Sequence, residues 1–133
     1  FDVIEHIENH ENEIKNALNK LNANGKLIII VPAFNHLYSN YDKSIGHYRR
    51  YEKKFFLKFL KDNNLTYKLL FYFDCIGYFF LLMNKLINIK NEKKVSFGTI
   101  MWNLMIPVSK ILDKILFHKF GKSLICVIQK KEI

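Results

Sequence analysis

The chain contains few of the residues that build small cross-linked scaffolds and nucleotide-binding loops. Its 133 residues include 5 glycines, 2 prolines and 2 cysteines. The glycines lie far apart, at Gly25, Gly46, Gly77, Gly98 and Gly121. Since a loop that cradles a phosphate needs closely spaced glycines, the sequence contains no such loop. Cys75 and Cys126 lie in apolar runs without metal-like spacing, which indicates reduced core residues and argues against a disulfide scaffold.

Long apolar runs are also missing. The most apolar stretch, residues 69–89, is interrupted by four polar residues. Its longest unbroken run, residues 75–83, is shorter than the ~20 residues that span a membrane. The acidic N-terminal segment lacks the apolar core of a signal peptide. We therefore expect a cytoplasmic protein without a transmembrane helix, and the lysine-flanked segment 71–94 leaves open a peripheral contact with a membrane surface.

The charge is positive and unevenly distributed. The net charge is +9, although five acidic residues precede the first lysine, Lys15. One interpretation is a partner such as nucleic acid or anionic lipid. The other is a general enrichment in lysine and asparagine without functional meaning. Because the sequence shows neither an RNA-binding motif nor a stripe of spaced aromatic residues, we expect no nucleic-acid partner.

The hydrophobic pattern predicts a mixture of helices and strands in a single domain. Apolar residues at helical spacing predict a helix around residues 14–21, and the β-branched run 27–31 predicts a strand buried on both faces of a parallel sheet. Residues 33–51 show no clear period and predict a long loop, and residues 88–96 a polar connector. Further helices are predicted over residues 52–61 and 75–89, and another helix is predicted to have Pro107 in its first turn. Further strands are predicted over residues 65–73 and 123–129.

Three motifs occur in order in the first half of the chain. They are DVIEHIEN at residues 2–9, NGKLIIIVPA at residues 24–33 and DKSIGHYRRY at residues 42–51. In this order and spacing they resemble the segment after strand four, strand five and the following loop of class I S-adenosylmethionine-dependent methyltransferases of the broad methyltransferase-11/12 type. The resemblance covers residues 1–70 well and the rest more loosely.

The resemblance implies an α/β fold, namely the C-terminal portion of a Rossmann-like seven-stranded sheet that is parallel except for its last strand. Residues 1–70 would hold the strand-four tip, a helix, strand five, the substrate-side loop, a second helix and strand six. Residues 71–133 would hold a helical insert and the closing strand of the same partial domain. The family's glycine-rich loop is absent, so a missing N-terminal half of the same domain is the expected partner. Without that half, the strand at 27–31 would have an open edge, and the isolated chain would aggregate or pair.

The resemblance also implies three groups of site residues. The cofactor of the intact protein, S-adenosylmethionine, is expected to contact Asp2, Glu5 and His6. The substrate is expected to contact Asp42, His47, Tyr48 and Arg49. His6 and His47 are the candidate catalytic residues, because a neutral imidazole can take a proton from a weakly acidic hydroxyl near pH 7.

Each of these assignments has a simpler alternative. His6 could merely pack against its surroundings, and Arg49 or Arg50 could form an ion pair with Asp42 inside the loop instead of binding an anionic group. His6 and His10 are four residues apart, but the HExxH pattern of metalloproteases is missing, and we expect no metal site.

The sequence thus predicts a methyltransferase fragment, inactive on its own, from an enzyme that acts on a small-molecule or lipid-linked acceptor. The alternative is a non-catalytic module, derived from the methyltransferase fold, that binds a membrane surface or a partner chain.

Overall fold

The computed structural model describes residues 3–130 except 88–94, with side chains described for 3–86 and 105–130. This part of the chain is mixed α/β. Its helices are α1 (His10–Asn19), α2 (Asn40–Ser44), α3 (Lys53–Asp62), α4 (Cys75–Ile87) and α5 (Val95–Ile115). Its strands are β1 (Lys26–Pro32), β2 (Thr66–Phe73) and β3 (Ser123–Gln129). Two short 3-10 helices, Ile4–His6 and Asn35–Leu37, precede α1 and α2.

The three strands form an antiparallel sheet in the order β1-β3-β2. The last strand of the chain is therefore the central one, and β1 lies at an edge of the described sheet. In the register of β1 and β3, the opposed pairs with both members buried are Leu27 with Ile128, Ile29 with Cys126 and Val31 with Leu124. Their side chains point to one face of the sheet and form the centre of its core.

The prediction that β1 is buried on both faces was wrong. Leu27, Ile29 and Val31 are buried, whereas Ile28 between them is 51% exposed. β1 pairs along its length with an antiparallel strand, and such sheets commonly leave one face to solvent. An unbroken apolar run cannot reveal this alternation. The described residues form a three-stranded sheet, so the seven-stranded sheet that the resemblance implies stays a prediction.

The predicted helices on either side of β1 are confirmed. α1, which begins at His10, buries Ile14 and Leu18, four residues apart. α3 buries Phe56, Phe59 and Leu60, at the three- and four-residue spacing of one helical face. The loop predicted at 33–51 is less irregular than expected, because it contains α2, whose five residues are too few to show a period.

The chain divides into two compact units. The first unit runs to Phe71 and resumes at Ser123, and the second is Tyr72–Lys122. In the second unit α4 and α5 pack against each other. The prediction for Pro107 was wrong: the helix begins at Val95, and Pro107 lies inside it. Most of the predicted connector at 88–96 lies outside the described residues, where no element can be assigned.

Residues described here include no helix that is both long enough and apolar enough to cross a membrane.

Candidate functional site

The first and third sequence motifs meet in the first unit. The backbone N–H of Tyr48 donates to the carbonyl oxygen of Glu5 at 2.8 Å. Nδ1 of His6 lies 3.2 Å from the carbonyl oxygen of Gly46, 40 residues further along the chain. Gly46 has a φ of 82°, a left-handed conformation that glycine adopts without strain. The two motifs therefore form one site, held together by backbone groups of the third motif.

Arg49 fixes the same junction through the backbone of the first motif. Its Nη1 and Nη2 donate to the carbonyl oxygens of Ile7 at 2.8 Å and Glu8 at 3.1 Å. The guanidinium carbon also lies 5.5 Å from the centre of the Tyr48 ring. The guanidinium predicted to contact a substrate is thus engaged by the chain's own carbonyl oxygens. Tyr48, which is 55% exposed, is the more accessible of this pair.

The end of the third motif is fastened to the end of β1. Ala33 and Tyr51 form an isolated parallel bridge. The N–H of Tyr51 donates to the carbonyl of Pro32, and the N–H of Phe34 donates to the carbonyl of Tyr51, each at 2.8 Å. Since Pro32 ends β1, these bonds place the site beside the C-terminal end of that strand. Ligands of α/β sheets commonly bind at this end of the strands.

Asp42 is the centre of a buried polar network, formed with Ser39, His47 and Arg50 and called here the Asp42 network. The carboxylate is fully buried and accepts two parallel bonds from Arg50, from Nε and Nη2, each at 3.0 Å. It also accepts bonds from the backbone N–H and hydroxyl of Ser39, at 2.9 and 3.0 Å. Nδ1 of His47 lies 3.0 Å from its Oδ1. The ion pair between Arg50 and Asp42 is the internal alternative that the sequence left open.

The Asp42 network keeps its central carboxylate charged. Burial alone would raise the pKa of Asp42, but the hydrogen bonds it accepts, above all from Arg50, outweigh burial and hold the pKa below its ordinary value. A charged carboxylate beside His47 fixes the orientation of the imidazole, because the ring donates to it. Asp42 therefore positions the imidazole of His47.

His6 and His47 stand side by side with the same ring nitrogen occupied. Their rings are in edge-to-face contact, with centroids 4.6 Å apart. Nδ1 of His6 faces the carbonyl of Gly46, and Nδ1 of His47 faces the carboxylate of Asp42. Because these oxygens can only accept, the hydrogen of each neutral ring is assigned to Nδ1. Each Nε2 then offers a lone pair, which can take a proton or bind a cation.

Tyr51 and His10 brace the turn that carries Glu5 and His6. The Tyr51 hydroxyl donates to the carbonyl of Ile4 at 3.1 Å and lies 3.1 Å from Nδ1 of His10. Burial raises the pKa of Tyr51 to about 12. Burial also lowers the pKa of His10, and the nearby charge of Arg49 lowers it further. Both side chains are consequently neutral at pH 7, where they hold the turn without adding charge to the site.

Three predicted site residues converge. Glu5, His6 and His47 each bring a ligand-type atom within 4.8 Å of the others. Glu5 is buried, His6 is exposed and His47 is intermediate. We call this group the two-histidine site. Asp2, predicted to contact the cofactor, lies outside the described residues.

Ser39 was not among the residues predicted for the site, and Arg50 was named only beside Arg49, as a residue for an anionic group or for an ion pair with Asp42. Ser39 and Asp42 form a capping box at the start of α2, and the spacing S-x-x-D is a signal that could have marked Asp42 as a structural acceptor. Nothing in the sequence distinguishes Arg50 from Arg49, because only the fold decides which guanidinium turns inward. The assignment of Asp42 and Arg49 to a substrate stays a prediction.

A second buried polar group, formed by Asp74, Ser109 and Asp113, lies in the second unit. Asp113 accepts the backbone N–H groups of Asp74 and Cys75, each at 2.8 Å. Asp74 accepts the N–H of Gly77 at 3.0 Å and the hydroxyl of Ser109 at 3.1 Å. Helix N-termini carry N–H groups without partners inside the helix, and here these side chains satisfy them at α4. The group is therefore a structural cap. The sequence did not predict it, because Asp74 and Asp113 are 39 residues apart.

Comparison with known proteins adds no family assignment. No model of a known protein family matches the chain, and no curated protein is significantly similar to it. The geometry of the two-histidine site and the three motifs that build it are therefore the features of the chain that indicate a function.

Proposed function

We propose that the chain is the substrate-side half of an S-adenosylmethionine-dependent methyltransferase acting on a small-molecule or lipid-linked acceptor. One observation carries the proposal. Residues 3–8 and 42–51, which lie in the two motifs assigned to the donor side and the acceptor side, meet at the C-terminal end of β1 and bring His6 against His47.

The sheet gives further support. The resemblance implies strands that are parallel except for the last, and β3, the last strand of the chain, runs antiparallel to β1. As β2 also borders β3 in an antiparallel sheet, β1 and β2 run in the same direction. These directions agree with a sheet in which only the last strand is antiparallel.

More of the residues of this chain would contact the methyl acceptor than the cofactor. S-adenosylmethionine, where bound, would supply the activated methyl group. The chain has no pair of neighbouring glycines to cradle it, so most of the cofactor contacts would come from the upstream half. His47 would take the proton from an acceptor hydroxyl at Nε2, while Asp42 holds Nδ1. Tyr48, exposed beside it, would contact the acceptor.

The test is a calorimetric titration of S-adenosylmethionine into two proteins, this chain and a version extended upstream by the missing half. We expect one bound cofactor per extended chain and no measurable binding to the short chain. Substituting His6→Ala in the extended version should weaken binding, whereas His36→Ala, an exposed histidine outside the two-histidine site, should not. An extended version that binds no S-adenosylmethionine would refute the proposal.

A second candidate function is supported by the surface of the second unit. α4 exposes four large apolar side chains, Phe79, Phe80, Met83 and Leu86. Near the end of α5, Ile111, Ile115 and Phe117 are each more than half exposed, beside the exposed Lys110 and Lys114. Apolar side chains next to lysines suit the surface of an anionic membrane.

This candidate is tested by sedimentation with vesicles. A membrane-surface module should sediment with anionic vesicles and much less with neutral ones. The double substitution Phe79→Asp and Phe80→Asp should abolish the binding, while Lys43→Ala in the first unit should leave it intact. Equal recovery of wild-type and doubly substituted protein from anionic vesicles would exclude α4 as the contact.

A further inference from the structure

The two-histidine site has the donor atoms of a metal centre. Glu5 supplies a carboxylate and His6 and His47 supply imidazoles, with one atom of each within 4.8 Å of the other two. Two imidazole nitrogens and one carboxylate oxygen suit divalent transition metals such as Zn²⁺ and Co²⁺ better than Mg²⁺, which prefers oxygen ligands. The cluster differs from the pair His6 and His10 that the sequence offered, because His47 comes from a distant motif.

The surroundings of the two imidazoles are a separate observation that points to a metal. Histidines that bind metals almost always donate their other N–H to a carboxylate or a backbone carbonyl, which fixes the ring and its tautomer. His47 has the carboxylate of Asp42 at Nδ1, and His6 has the carbonyl of Gly46. In both rings Nδ1 carries the hydrogen, so Nε2 has the lone pair that can coordinate a metal ion. Asp42 is in turn held by the two bonds from Arg50.

The three proposed ligands differ in burial, and the most exposed of them leaves the site open to an ion from solvent. Glu5 is 3% exposed, and the side chain of His47 is 13% exposed. His6 is exposed, so an ion can enter from its side. Ligand atoms around a tetrahedral Zn²⁺ are roughly 3.3 Å apart, as follows from bond lengths near 2.0 Å, so binding would draw the two rings inward. The exposed His6 ring has room to make this movement.

We propose that Glu5, His6 and His47 bind one divalent transition-metal ion, with Asp42 and the Gly46 carbonyl orienting the two imidazoles. Three protein ligands leave a coordination position for water or for an oxygen atom of a small ligand. Binding of the ion does not depend on the proposed methyl transfer, because all three ligands belong to this chain. If both proposals hold, the open position would take the acceptor oxygen, and the bound ion would favour loss of the hydroxyl proton to water. Nε2 of His47 would then act as the base only in the metal-free site.

Titration of Co²⁺ into the purified chain, followed by visible absorption, tests the proposal. We expect one Co²⁺ per chain, displaced by Zn²⁺ and unaffected by Mg²⁺ at the same concentration. His6→Ala, His47→Ala and Glu5→Gln should each weaken binding at least ~10-fold, and Asp42→Asn about 10- to 100-fold. His36→Ala should retain wild-type affinity. Circular dichroism of every variant shows whether it is folded.

Three results would overturn the proposal. They are failure of the wild-type chain to bind Co²⁺ or Zn²⁺, wild-type affinity in folded His6→Ala and Glu5→Gln, and an equal loss in His36→Ala. Since His6 is exposed, its substitution should not unfold the protein, and this variant decides the matter even if Asp42→Asn does not fold. The S-adenosylmethionine titration gives an independent result, so the two proposals can fail separately.

Discussion

Asp42 in the first unit and Asp113 in the second are both almost fully buried, and each accepts several hydrogen bonds. Asp113 gives its two oxygens to backbone N–H groups at the start of α4. Asp42 divides its bonds between a capping serine, an arginine and the imidazole of His47. The two carboxylates are therefore similarly buried, and the difference lies in the groups that each one bonds.

That difference gives the two carboxylates different parts, one in capping a helix and one in the proposed site. The partners of Asp113 are backbone groups that can do nothing further once they are satisfied. The bond to Asp42 uses Nδ1 of His47 and not Nε2, and the ring lies beside a second histidine and a buried glutamate. A buried carboxylate thus indicates a functional site when it orients a side chain that remains reactive.

The largest effect is expected from Asp42→Ala. The substitution leaves the Arg50 guanidinium, itself 7% exposed, without its carboxylate, which should reduce the free energy of unfolding by about 3–5 kcal/mol. Urea denaturation followed by circular dichroism measures the change. Asp62→Ala, at an exposed position at the end of α3, is the control and should change stability by less than ~0.5 kcal/mol. Similar losses in both variants would show that the Asp42 network does not stabilise the first unit.

Asp113→Ala should have the next largest effect. The N–H groups of Asp74 and Cys75 lose their acceptor, and the expected cost is about 2–3 kcal/mol. The same denaturation experiment applies, with the exposed neighbour substitution Lys114→Ala as control. Co²⁺ binding should be unchanged in Asp113→Ala. A loss of Co²⁺ binding in this folded variant would contradict the contrast between the two carboxylates.

The buried thiol of Cys126 in the first unit predicts a pH dependence of stability. Burial raises the pKa of Cys126 to about 12. The unfolded pKa of a cysteine thiol is about 8.5, below the folded value. Such a group therefore contributes its full share to the free energy of unfolding below pH 8.5, and this contribution falls as the pH rises above 8.5. Between pH 8 and pH 10, Cys126 should lower the free energy of unfolding by about 2 kcal/mol.

Urea denaturation at the two pH values measures that loss, and Cys126→Val should show correspondingly less of it. Burial also raises the pKa of Cys75 in the second unit, so Cys75→Val provides a comparison between the units. A wild-type loss that persists in full in Cys126→Val would assign the pH dependence to other groups.

The smallest stability effect is expected from His47→Ala, with a matched histidine in the second unit. His118 has its Nδ1 3.1 Å from the carbonyl of Tyr72, an arrangement like that of His6 and Gly46. His47→Ala and His118→Ala should each cost about 1 kcal/mol, the value of one hydrogen bond. Only His47→Ala should lower Co²⁺ affinity. An equal loss of affinity in both variants would show that any histidine of the chain can bind the ion.

Several elements followed from local sequence alone. β3 occupies residues 123–129, the range predicted from its apolar residues and their polar limits, and α3 begins one residue after the predicted start. Elements with a strong period of their own can be predicted, because the same residues that form the element also bury it. Pro107 misled the prediction because proline favours a first turn, whereas the apolar residues on both sides continue the helix.

The candidate site could be predicted only in part. The motifs marked His6 and His47 individually, but nothing local indicated that their rings would lie 4.6 Å apart. Arg49 and Arg50 are adjacent and identical in type, yet one bonds to backbone carbonyls and the other to Asp42. The direction of each side chain depends on the backbone path between Gly46 and Tyr51, which contacts distant residues fix.

By itself the sequence determined the helices and strands with clear periodicity, the absence of a glycine-rich loop and the chemical types available for a site. These depend on residues that are neighbours along the chain. Only the tertiary structure decided the antiparallel pairing that makes β3 the central strand, the one-sided burial of β1, and the meeting of Glu5 and His6 with His47. Those features depend on contacts between segments some forty residues or more apart, whose free energy comes from shared burial and hydrogen bonds that no local pattern records.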